Sequence, residues 1–204
     1  MNSPPAPASR KPLAVHERQT PGLIDLPNDL EARKMLDAIT SGDRSALTSL
    51  YISYYGFLAH FLSQFIGSDN GVGDVVNDTF MTIWETTRGL PFESKVSVWI
   101  FRIAHQHASR FVGCHAPCRL ANCEREGQLR DPATDTKTHR PLLVALRRLP
   151  TEQRMVVTLC YRMGYSARGI AFITDSQVET VELRMFQARG LLRRYLTTHG
   201  TVDL

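Results

Sequence analysis

Residues 164–195, GYSARGIAFITDSQVETVELRMFQARGLLRRY, constrain the fold more than any other stretch, because they read as two short helices split by a tight turn. The spacing predicts a first helix over 166–173, with Ile170 and Ile173 on its inner face. Thr174, Asp175 and Ser176 cluster three turn formers. Ser176 followed three residues later by Glu179 is a capping-box pattern, so a second helix should begin near Gln177. From there Val178, Val181, Met185, Ala188, Leu192 and Tyr195 recur at helical spacing as a buried stripe. The opposite face carries Glu182, Arg184, Gln187, Arg189, Arg193 and Arg194. A helix of about 20 residues is ~30 Å long, enough to lay its first half in a DNA major groove. Taken alone, the stretch also fits an ordinary helical hairpin with a solvated arginine face.

Charge distribution favours the first reading. Of the formal net charge of +4, the excess sits late in the chain. Residues 142–196 hold nine arginines against four acids, whereas 29–112 hold seven Lys/Arg against nine Asp/Glu. A basic surface of that kind is the electrostatic footprint of a polyanionic partner.

The remaining periodicity is helical, with few strand signals. Residues 1–28 contain Pro4, Pro5, Pro7, Pro12, Pro21 and Pro27 and read as a flexible tail. Residues 29–112 form a helical block: an opening helix over 29–41, a break at Gly42-Asp43, and a long stripe through Leu50, Tyr54, Leu58, Phe61 and Leu62. A glycine-bearing loop is expected over 67–73, then a helix carrying Val75, Val76, Thr79, Phe80, Ile83 and Trp84. After a second loop around 89–94, Val96, Trp99, Ile100, Ile103 and Ala104 mark another helix. Residues 113–141 lose periodicity and read as a linker; 142–197 are helical again, with Leu149-Pro150 as an internal boundary, and 198–204 form a tail. The expectation is an all-α protein of two small helical domains on a flexible linker. No apolar run approaches the roughly 20 residues needed to span a bilayer, and the polar N-terminus is unlike a signal peptide, so a cytoplasmic protein without membrane insertion is expected. No glycine-rich phosphate loop, nucleophile elbow or HExxH is present, so no enzyme is expected and no cofactor is assigned.

Four stretches in order resemble an extracytoplasmic-function sigma factor of the sigma-70 family of bacterial RNA polymerase. They are 42–54, GDRSALTSLYISY; 74–84, DVVNDTFMTIW, similar to the family's D-L-V-Q-E-x-F…W helix; 98–104, VWIFRIA, similar to A-W-L-F-R-I-A; and Leu149-Pro150-Thr151-Glu152-Gln153-Arg154 followed by Tyr165-Ser166, Ile170-Ala171, Thr180-Val181, Arg184 and Ala188-Arg189. The likeness covers about 30–112 and 142–196. It implies an initiation factor that brings core RNA polymerase to promoter DNA, and an anti-sigma protein as a further partner. Asp74, Val75, Asn77, Asp78 and Phe80 would then serve core polymerase binding, the polar members accepting hydrogen bonds from arginines of the partner. Ser94, Lys95, Trp99, Arg102, His105 and Gln106 would serve the −10 element, where a base is extruded and the freed strand held, although Trp99 lies on the apolar stripe and suits core packing. The chain departs from the family at Val96, where an aromatic is usual, and at 111–114, where arginines cluster. Thr180, Glu182, Leu183, Arg184, Phe186, Gln187 and Arg189 would serve the −35 element. Relatives often carry a cation where Glu182 stands, and a carboxylate accepts from cytosine N4 where Arg pairs with guanine. The alternative is a helix-turn-helix regulator that works without polymerase.

Cys114, Cys118 and Cys123, with His115 close by, lie in the expected linker and match no tight structural-zinc spacing. Free thiols in a reducing compartment are the plainer reading than a metal or redox sensor, and Cys160 is expected in the core.

Overall fold

The computed structural model describes residues 26–66, 69–86, 95–119 and 140–199, and these are helical throughout, with no strand among the described residues. The helices run α1 Asp29–Thr40, α2 Arg44–Ile66, α3 Asp69–Thr86, α4 Val96–Arg119, α5 Arg140–Arg147, α6 Thr151–Val157, α7 Ala167–Thr174 and α8 Val178–His199, with a π-helical turn, Thr158–Arg162, extending α6.

Local chemistry sets the ends. Asn28 caps α1 by accepting from the Glu31 N–H at 2.9 Å. Gly42 closes the α1–α2 corner at φ +90°, a conformation that costs glycine little, and Asp43 accepts from the Ser45 N–H at 2.8 Å to open α2. The Ser45 hydroxyl, donating to the same oxygen at 2.7 Å, and the Ser45 N–H hold the Asp43 carboxyl below its ordinary pKa. Asp29 ties the two ends of the first half together: its carboxylate accepts from the Val96 N–H at 2.6 Å, at the N-terminus of α4, and from Arg33 at 3.0 Å.

The apolar stripes read from the sequence are the buried faces. Leu50, Tyr54, Leu58, Phe61 and Leu62 of α2, Val75, Val76, Phe80 and Ile83 of α3, and Val96, Trp99, Ile100, Ile103 and Ala104 of α4 are all buried. Two boundaries differ from expectation. Helix α3 begins at Asp69 and takes in Gly71 and Gly73, which the sequence places in a loop. Packing explains the first glycine: a Cβ at Gly71 would lie 2.5 Å from the Phe111 ring, so any side chain there would have to push that ring aside. Helix α4 continues to Arg119, past the limit of 112 where periodicity fades.

The two halves do not stand apart. α7 packs on α4, and the residues buried in both halves form one continuous core. A ladder of aromatic rings crosses between them: Phe65–Phe61 at 5.1 Å, Phe61–Phe101 at 5.2 Å and Phe101–Tyr165 at 5.7 Å, each edge-on. Thr158 adds a hydrogen bond to Gln64 Oε1 at 3.0 Å. The expected linker beyond Arg119, the N-terminal tail before residue 26 and the loop 89–94 lie outside the described residues.

Phe61 sits at the centre of the ladder and is fully buried. Phe61→Ala should lower the unfolding free energy by about 3–5 kcal/mol in denaturant titration, whereas Ile52→Ala, at a 72 % exposed site on the same helix, should change it by no more than about 0.5 kcal/mol.

Candidate nucleic-acid and polymerase interface

The helix-turn-helix forms as its residues require. Ser166 caps α7 by accepting from the Gly169 N–H at 3.2 Å. Asp175 closes α7 in the left-handed region, φ 50° and ψ 44°, a position that Asp tolerates better than most side chains. Ser176 Oγ bonds Thr174 Oγ1 at 2.7 Å across the turn. Val181, Met185 and Ala188 are buried against the rest of the unit, and Val178, Leu192 and Tyr195 half-buried, so the predicted stripe holds.

The other face of α8 offers the expected residues. Glu182, Leu183, Phe186, Gln187 and Arg189 are exposed and Thr180 and Arg184 half-buried. Phe186 is 76 % exposed and Leu183 56 %, so two apolar side chains stand in solvent on an otherwise polar face. Three polar members are held from behind: Arg184 by Glu152 at 3.1 Å, Gln187 by the Gln153 amide at 3.1 Å, and Arg189 by the Tyr161 hydroxyl at 2.8 Å. Sequence reasoning did not single out Glu152, Gln153 or Tyr161 as members of this site, because a helical period shows which face is outward and not which neighbour reaches over it.

On α3, Asp74, Asn77 and Asp78 are exposed together. Asn77 Oδ1 accepts from the Tyr51 hydroxyl at 3.3 Å, and Tyr51 stacks between Tyr55 and Phe80. Val75 and Phe80 belong to the core, 1 % and 4 % exposed. They support this face from below and do not present a surface, which corrects their place among the polymerase-facing residues.

The candidates on α4 divide in the same way. Lys95 and Gln106 are exposed, Arg102 and His105 half-buried, and Ser94 lies outside the described residues. Trp99 is buried, so its ring packs the core as its place on the stripe suggested and is not offered to a strand. Arg102 is already engaged. It donates to the Phe172 carbonyl at 3.1 Å and to Asp175 Oδ1 at 2.9 Å, with its guanidinium 4.3 Å from the centre of the Phe172 ring. The positively charged edge of α4 thus rests on the turn of the helix-turn-helix. His105 lies at the same seam, edge-on to Phe65 at 5.5 Å. Its pKa is lowered chiefly by burial and also by Arg184 and Arg102, against the opposing pull of Glu152 and Asp175.

The remaining titratable groups do not form a further site. His107 bonds Thr82 at 2.8 Å, and burial lowers its pKa. Cys160 is half-buried against the core, which pushes its thiol pKa up and away from reactivity. Among the described residues no group of His, Cys, Asp and Glu is placed to hold a metal. The side chains of Cys114, His115 and Cys118, and all of Cys123, lie outside the described residues. Among the described residues no helix is long and apolar enough to cross a membrane.

A histidine whose folded pKa is depressed leaves stability intact while it is neutral in both states. Below its ordinary value of 6.5 the unfolded chain takes the proton first, so stability falls until the folded histidine is protonated too. The thermal midpoint should therefore drop as pH is lowered from about 7.5 to about 5.5. His105→Gln should shrink that drop, with His107 accounting for part of the remainder; an undiminished drop would show that His105 does not carry it.

Comparison with known proteins agrees with this layout. The family described as "Sigma-70, region 4" matches residues 139–192, which span α5 to most of α8. The ECF RNA polymerase sigma-E factor of Haemophilus influenzae is 26 % identical over 178 residues, covering 80 % of this chain and 94 % of that protein. The sigma-E factor of Escherichia coli K12 is also 26 % identical, over 170 residues, covering 76 % and 88 %. In fold, the chain resembles CnrH in complex with the cytosolic domain of CnrY (TM-score 0.60, 23 % identity, 83 % of this chain and 99 % of that one). It also resembles the sigma factor RpoE in complex with the anti-sigma factor NepR from Bartonella quintana (TM-score 0.57, 19 % identity, 75 % and 98 %). With the helix-turn-helix, the acidic face of α3 and the order of helices in place, these likenesses support an extracytoplasmic-function sigma factor of the sigma-70 family.

Proposed function

We propose that this chain directs core RNA polymerase to promoters, with α8 reading the −35 element, the outer edge of α4 serving the −10 element and Asp74, Asn77 and Asp78 docking on the polymerase core. The observation that carries this reading is that one chain holds both an outward recognition helix with exposed Leu183, Phe186, Gln187 and Arg189 and, on α3, an exposed trio of hydrogen-bond acceptors separate from it. A helix-turn-helix regulator needs the first and has no use for the second. On this reading the protein acts in the cytoplasm with polymerase, as a non-catalytic factor, which its likeness to sigma-E factors supports. The NepR complex of its structural relative supports an anti-sigma partner for this chain too.

Geometry adds a condition. Elements centred near −35 and −10 are about 25 base pairs apart, or ~85 Å along B-form DNA. Here Arg102 of α4 is 2.9 Å from Asp175 in the turn before α8, so the two readers touch. Simultaneous reading requires α7 to leave α4, freeing Arg102 for a phosphate. The described form is therefore the closed, non-reading one. The Arg102–Asp175 pair is a weak part of the closure, because Asp175 is 72 % exposed and such pairs contribute about 0–1 kcal/mol. Apolar contact through Phe101, Tyr165 and Ile170 supplies more.

Adding the chain to core polymerase should give promoter-dependent transcription; a regulator of the alternative kind would bind DNA alone and give none. Promoter selection with Glu182→Arg holoenzyme should shift the −35 consensus from a cytosine toward a guanine at one position, and an unchanged consensus would remove Glu182 from base reading. Asp175→Asn, which keeps a residue tolerant of the left-handed turn, should shift the free chain toward the open form by up to about fivefold, read as inter-domain energy transfer.

A further inference from the structure

Of the three residues that brace α8 from behind, Tyr161 differs in kind. Glu152 and Gln153 lie in the first turn of α6. Tyr161 stands on the π-helical turn Thr158–Arg162, where the wider turn changes the side-chain register of the helix that carries it. Leu159 is buried and Cys160 and Met163 are half-buried, while Tyr161 is 63 % exposed beside α8. Its hydroxyl accepts from Arg189 Nε at 2.8 Å, and the guanidinium lies 5.7 Å from its ring centre.

The hydrogen-bond inventory of this pair is unbalanced. A phenol carries a hydrogen of its own, and an Arg bonded through Nε keeps the donors of both terminal nitrogens. Among the described residues neither the Tyr161 hydrogen nor those terminal nitrogens has an acceptor, and no carboxylate pairs with Arg189. By contrast Arg184 is already neutralised by Glu152. Two adjacent groups therefore offer donors alone, one of them cationic, at an exposed edge of the helix-turn-helix. The complement to such a fork is an oxyanion with several lone pairs, and on a DNA-reading face that is a backbone phosphate.

We propose that Tyr161 is a positioning and phosphate-contacting residue for −35 binding: it fixes Arg189 through Nε and donates its own hydroxyl to the phosphate that Arg189 engages. The inference rests on the reading of α8 as the −35 helix. The phosphate contact fixes the register of α8 in the groove without itself reading a base, leaving selection to Glu182 and its neighbours.

The test uses holoenzyme assembled from core polymerase and the full chain, binding a promoter fragment that the holoenzyme itself has selected, over a range of salt concentrations. Arg189→Ala should weaken binding and make the dependence of log affinity on log salt shallower by about 0.9, the signature of one lost phosphate contact. Tyr161→Phe should weaken binding roughly three- to tenfold with the slope unchanged, because a hydrogen bond and no charge is removed. Combining the two should cost little more than Arg189→Ala alone, and all three effects should vanish on a fragment whose −35 element has been replaced. Wild-type affinity for Tyr161→Phe, or a double variant showing the full sum of both losses, would overturn the proposal. So would a Tyr161→Phe defect in assembly with core polymerase in place of one on DNA, which would make the residue a protein-docking site. If Arg184→Ala and Arg189→Ala both leave −35-dependent binding intact, it is the assignment of α8 that fails.

Discussion

Helix α4 is the element on which the rest depends, because it is buried from two sides. One side, through Val96, Ile100 and Ala104, closes the core formed by α1, α2 and α3; the other receives α7. The aromatic ladder from Phe65 to Tyr165 runs through it, so the first half and the helix-turn-helix share rings as well as a boundary. Even the start of α4 is fixed from elsewhere, by the Asp29 carboxylate at the head of α1. A helix with two buried sides leaves a narrow exposed edge, and the −10 candidates lie there, exposed Lys95 and Gln106, or at the seam beside it, half-buried Arg102.

Placing an arginine-rich unit against that edge calls for acids at the seam. Asp175 meets Arg102 and Glu152 meets Arg184, both close enough to His105 to oppose the depression of its pKa. Both pairs are partly exposed, so they contribute little to stability and more to tolerance: without them, Arg102 and Arg184 would stand at the seam uncompensated. In the proposed opening, the same residues keep the electrostatic cost low. When α7 leaves α4, a phosphate can take the place of Asp175 beside Arg102, exchanging one anion for another.

Much of this was legible in the chain. The stripe of α8, the turn at Asp175, the Gly42 corner and the Pro150 boundary follow from period and turn chemistry, which are local. What periodicity conveys is that a face is buried, not what covers it. Val75, Phe80 and Trp99 belong to sequence stretches that carry a family likeness, and their burial shows that part of such a likeness records core packing. Gly71 at the head of α3 looks like a loop residue until Phe111, far along the chain, is seen to occupy the space a side chain would need. The contact of α4 with α7 has no local signal at all, since a residue such as Tyr165 is apolar for reasons its neighbours in sequence do not disclose.

Glu182 is where these constraints converge. Arg184 and Gln187 are braced from α6 and Arg189 from the π-helical turn, so the polar face of α8 is set before DNA arrives. Glu182 is exposed and, among the described residues, has no partner of this kind. A carboxylate brought without a partner against a phosphate-lined groove is repelled and loses water, a cost that a cation at the same position would not incur. The cost falls when the carboxylate accepts a hydrogen bond from a base amino group, which in the major groove cytosine N4 supplies at one edge of its pair. If α8 reads DNA as proposed, a phosphate-facing Tyr161 and Arg189 would hold the helix in register whatever the sequence, while Glu182 would penalise every register in which no such donor is present. Affinity and discrimination would thereby be carried by different residues of the same face, the discrimination by a group that weakens binding to all other sequences.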